Sequence, residues 1–303
     1  MKIKGIHASP ALVIVICALM AAAGYLDITE ISRGVDPYLT VMAMEIACMG
    51  LPAVFFCILR GNEYKKRLNI RIIRVRHISL CVYALLLLIC AGVSLSLLLY
   101  RLFPDAFAAS AATAEFTAAV GKNDTFYAAL AFGILPAFLE EFLCRGILLT
   151  EYTPYGAVTA AVFSSLLFSF LHFSPVRFPI YFVTGLILAL VVGATRSVLT
   201  AAVVHACYNA FTVYFEKYIY IMAAKQSGGM ILLAFMVVTV LLVSAILFFG
   251  RCERLYRLMG DANLPSPLRR KRAPGDTPDF LTALLSPTLW LMVVLYLVAS
   301  FLL

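Results

Sequence analysis

Charge is scarce in this sequence. Asp, Glu, Lys and Arg make up 13% of the 303 residues, and hydrophobic residues 63%, against about 25% and roughly 45–50% in ordinary soluble domains. A water-soluble fold has no means of hiding so much apolar surface. The signatures H-E-x-x-H, G-x-G-D and G-x-S-G are absent, which removes the zincin, intramembrane aspartyl and rhomboid mechanisms because their reacting residues are missing. None of the eight cysteines is in C-x-x-C spacing. Seven lie within apolar stretches and behave as small hydrophobes, so no disulfide scaffold or redox role follows. Cys252, in a basic segment, is the one expected to be accessible. Internal repeats and paired interrupted helices, which mark many secondary transporters, are also missing.

What is present is length without charge. A membrane-crossing helix needs about 20 mostly apolar residues, and such runs fall near 8–26, 37–59, 78–100, 126–150, 155–173, 178–195, 198–215, 230–250 and 281–303. The expected fold is all-α: a polytopic transmembrane helix bundle of eight or nine spans. Lys and Arg cluster at 60–76 and 251–272, seven in each. With nine spans and a cytoplasmic N-terminus, both clusters fall inside, as short cytoplasmic loops require. The net charge of +8 therefore reports topology and contact with anionic lipid, and nucleic acid is excluded as a partner. A multi-pass protein of the cell membrane is expected.

Three regions follow. Residues 1–125 form an N-terminal scaffold of three spans, themselves apolar apart from Glu45, and an outer loop. Residues 126–215, four spans, hold nearly every polar residue in a deep apolar context. Residues 216–303 add further spans joined by a basic linker at 251–280, whose prolines and charges mark a flexible connection.

The fourth span contains Glu140, Glu141 and Arg145. A central charge costs about 2.5–3.5 kcal/mol to insert, so three cost on the order of 7–10 kcal/mol before pairing. Glu141 and Arg145 are four apart and share a helical face, in the order that favours an ion pair. Glu140 points about 100° away and stays free for proton transfer. Pro136, one turn earlier, should loosen the helix beside them. The fifth span pairs Phe168 with His172 at i,i+4, and the seventh pairs His205 with Asn209. Counted outward from Tyr155 at 1.5 Å per residue, His172 lies about 25 Å from the inner face, whereas Glu140 and His205 count to mid-membrane.

A carboxylate and an imidazole can deprotonate a water as it attacks a carbonyl, while a second imidazole and an amide stabilise the oxyanion. Two histidines and a carboxylate are equally a common zinc set. Both chemistries remain open on the residues alone.

The ordered triple E-E-x-x-x-R (Glu140, Glu141, Arg145), F-x-x-x-H (Phe168, His172) and H-x-x-x-N (His205, Asn209) resembles the CPBP intramembrane protease family. That family includes the type II CAAX prenyl endopeptidases and the bacteriocin-processing and immunity proteins. The resemblance implies a polar cavity between helices and an endopeptidase acting on a hydrophobic or membrane-tethered peptide or protein, CAAX-like substrates included. It assigns water activation to Glu140 and His172 and oxyanion stabilisation to His205 and Asn209, with Glu141, Arg145 and Phe168 as structural support. No cofactor is required if a glutamate activates the water; otherwise Glu140, His172 and His205 would hold one divalent metal such as zinc. The alternatives are a non-catalytic membrane immunity or partner protein and a proton-coupled transporter.

Overall fold

Helices that face lipid on one side and other helices on the other need no polar stripe, and here apolar residues surround most of them. The computed structural model describes residues 5–25, 34–109, 125–224, 229–261 and 279–302, and contains no strand among them. We number the principal helices α1 (Gly5–Tyr25), α2 (Pro37–Arg60), α3 (Ile78–Leu102), α4 (Phe126–Tyr155), α5 (Ala157–Phe170), α6 (Phe178–Thr195), α7 (Val198–Ala224), α8 (Gly229–Asp261) and α9 (Pro287–Leu302).

Seven of these are long and apolar enough to cross a membrane. The expected spans at 155–173 and 281–303 are instead shorter helices, α5 with 14 residues and α9 with 16. The α5 run stops at Phe170 because Ser174-Pro175 follows, and Pro179 opens α6. At the other end, α8 continues as a helix to Asp261, through the first part of the expected linker; residues 262–278 lie outside the described residues. Most of the expected outer loop lies outside them as well, apart from a short helix at Pro104–Ala109.

Two apolar clusters organise the bundle. One gathers Ile16 of α1, Ala53 of α2, Ile147 of α4, Leu167 of α5 and Met292 of α9. The other gathers Leu88 of α3, Leu188 of α6, Val204 of α7 and Phe248 of α8. Between lipid-embedded helices association rests on close packing. Gly185 of α6 shows this: a Cβ there would lie 2.7 Å from the Cβ of Ser165 on α5, so only glycine permits this α5–α6 approach. The reversal from α4 into α5 needs Gly156, whose φ of +102° lies where side chains are rarely accommodated.

Candidate active site

Charged groups of α4 sit at the seam between the two clusters. Its path there is irregular: it widens into π-turns at Leu130–Ile134 and Phe142–Leu148, on either side of the glutamates. The first lies just ahead of Pro136, which has no N–H to give the preceding turn. Such turns are frequent at functional sites because they re-aim side chains.

Glu141 and Arg145 are both completely buried, with Arg145 Nη1 2.6 Å from Glu141 Oε1. Arg145 Nη2 donates to the Gly185 carbonyl at 3.0 Å, and its guanidinium lies over the Phe168 ring, 4.7 Å from the centroid. His205 enters from α7. Its Nδ1 is 3.0 Å from Glu141 Oε1 and its Nε2 3.7 Å from Glu140 Oε2, so the imidazole bridges the two carboxylates. Glu140 makes no pair with Arg145 and keeps 15% of its side chain exposed.

His172 lies in the turn after α5. Its Nδ1 is 3.0 Å from the Phe168 carbonyl, and its ring stacks on Tyr181 of α6 at 3.7 Å and 22°. It is within electrostatic reach of Glu140, His205 and Arg145. Asn209, one turn beyond His205, donates to the Gly133 carbonyl at 3.4 Å, inside the first wide turn of α4. The structure therefore brings Glu140, Glu141, Arg145, Phe168, His172 and His205 together, and ties Asn209 to the helix that carries the glutamates.

The expected mismatch in depth disappears for a simple reason. The fourth span does not end near residue 150 but runs to Tyr155, 30 residues in all, about 45 Å against a hydrocarbon core of about 30 Å. At that length it exceeds the hydrocarbon thickness by about 15 Å. Glu140 precedes Tyr155 by 15 residues and His172 follows it by 17, so both stand at nearly the same height, about 22 and about 25 Å from the turn.

Sequence reasoning missed two residues. Tyr181 fixes the plane of His172, and Glu45 of α2, read as scaffold, lines a cavity with Glu140. A lone tyrosine or glutamate in an apolar helix has no periodic partner to reveal it. Cys252 is also corrected: it is buried on α8, while Cys207 is the exposed cysteine among those described.

Among the described residues no three His, Cys, Asp or Glu side chains converge as a metal-binding group. His172 and His205 each have Nδ1 against an acceptor, the Phe168 carbonyl and the Glu141 carboxyl, which leaves Nε2 on each ring; with Glu140 these are the residues that would hold a divalent ion.

Residues 122–211 match the family model described as type II CAAX prenyl endopeptidase Rce1-like. No curated protein and no solved structure gave a match. The matched stretch contains all seven residues of the constellation, from Glu140 to Asn209. With its seven membrane-capable helices, this chain is a multi-pass membrane protein whose residues 122–211 are similar to the type II CAAX prenyl endopeptidase Rce1-like family.

Proposed function

We propose that the protein is an intramembrane endopeptidase that cleaves a hydrophobic or membrane-tethered peptide with a water activated by Glu140. One observation carries this reading: of the two adjacent glutamates, Glu141 is consumed by Arg145 and His205, whereas Glu140 is unpaired by arginine and faces a cavity. A carboxylate so held can take a proton from water and return it to the leaving amine.

His172 stands on the same side as the second group that orients the water. His205 has its Nδ1 on Glu141; in the doubly protonated form its Nε2–H is a donor beside Glu140, suited to the oxyanion. The Asn209 amide would join it by exchanging the long hydrogen bond to Gly133 for one to the substrate.

The deciding experiment is cleavage of lipidated and unlipidated hydrophobic peptides by the reconstituted protein, with and without a chelator, beside Glu140→Ala. Loss of cleavage in Glu140→Ala with full activity in chelator supports the reading. Undiminished cleavage by Glu140→Ala sinks it, and chelator-sensitive cleavage replaces the metal-free mechanism. A folded wild type that cleaves nothing shifts the assignment to a partner or transport role.

A further inference from the structure

A cavity of about 220 Å³ lies between α1, α2 and α4, lined among others by Met20, Met44, Glu45, Met49, Leu139 and Glu140. Its walls are largely apolar, and its ionisable groups are the two carboxyls. Glu45 lies outside the residues that match the family, immediately before the π-turn Ile46–Gly50 in α2. Its Oε2 is buried with no hydrogen-bond partner among the described residues, and its carboxyl is within electrostatic reach of Glu140.

A buried oxygen left without a donor is destabilising by itself, so a donor brought by a ligand has a site prepared for it. A peptide strand supplies that donor. In hydrocarbon its N–H groups find no water, and each needs an acceptor from the protein. The volume is below the roughly 300–1,000 Å³ of pockets that take drug-sized ligands, which suits one or two side chains and their backbone. Three flexible methionine side chains can follow apolar groups of differing shape.

We propose that Glu45 is a substrate-binding residue: its carboxyl accepts a backbone N–H of the peptide while the methionine-lined cavity takes an adjacent apolar side chain. The proposal rests on the endopeptidase reading and narrows its substrate class. An acidic side chain at that position is excluded, because it would meet two carboxyls in a low dielectric.

The test uses the full-length protein in proteoliposomes and short apolar peptides carrying a photoreactive leucine at successive positions. After irradiation, label is mapped along the chain and hydrolysis is followed in parallel. One peptide register should label Met44 or Met49, and Glu45→Leu should reduce that label about tenfold, as loss of one buried hydrogen bond implies. Glu45→Gln, which retains an acceptor oxygen, should recover most of it, and aspartate in the same peptide position should abolish it. Where cleavage is measurable, Glu45→Leu should raise KM more than it lowers kcat. Absence of label at Met44 and Met49, or label that Glu45→Leu leaves undiminished, overturns the proposal whatever the cleavage result. Cleavage by Glu140→Ala removes the protease reading and is scored separately.

Discussion

A guanidinium with no exposed surface is tolerable only while the groups that balance it remain in place. For Arg145 these are the Glu141 carboxylate, the Gly185 carbonyl and the Phe168 ring. Arg145→Met should leave Glu141 charged and buried and lower stability by about 3–5 kcal/mol, measured by thermal unfolding in detergent. Adding Glu141→Gln should recover part of the loss, since the uncompensated charge then disappears. Equal stability of Arg145→Met and wild type would show that the clamp holds nothing. Glu140→Gln differs in kind: unfolding should stay at the wild-type temperature while peptide cleavage falls by about 10²–10⁴. The pairing of Glu141 with Arg145 was legible in the sequence, because helical period alone fixes which residues share a face. The bridge from His205 to both glutamates was not, since it depends on how α7 packs against α4.

At the scale of helices, the α5–α6 hairpin holds His172 and receives Arg145. Gly185→Ala would press a methyl group onto Ser165 and push α5 from α6, moving the carbonyl that Arg145 uses. A loss of about 1–3 kcal/mol is expected, read from unfolding, together with reduced cleavage. Tyr181→Ala removes the ring on which His172 stacks; kcat should fall about 10–100-fold with little change in KM, as misplacement of a reacting group implies. A matching rise in KM would instead make Tyr181 a contact to substrate. Hydropathy located every principal helix, yet it erred where two met, because apolar content does not say that α4 overshoots the hydrocarbon or that α5 stops short. Pro175, Pro179 and Gly156 contained that information. Their meaning depends on a turn whose height only α4's length reveals.

For the molecule as a whole, the two basic clusters meet: Arg251 Nη2 donates to the Arg76 carbonyl at 2.8 Å. Short loops so rich in Arg and Lys belong on the cytoplasmic side. A cysteine placed at Arg71, an exposed position, should react with an impermeant maleimide in inverted vesicles and not in intact cells. Labelling of intact cells would reverse the orientation. The division into two apolar clusters has a mechanical consequence. Their side chains are largely apolar, whereas the seam between them is crossed by the bonds from Arg145 to the Gly185 carbonyl and from Glu141 to His205. Polar bonds are directional where apolar packing is not, so these two fix the register in which the halves meet, and they do so at the level of the reacting groups.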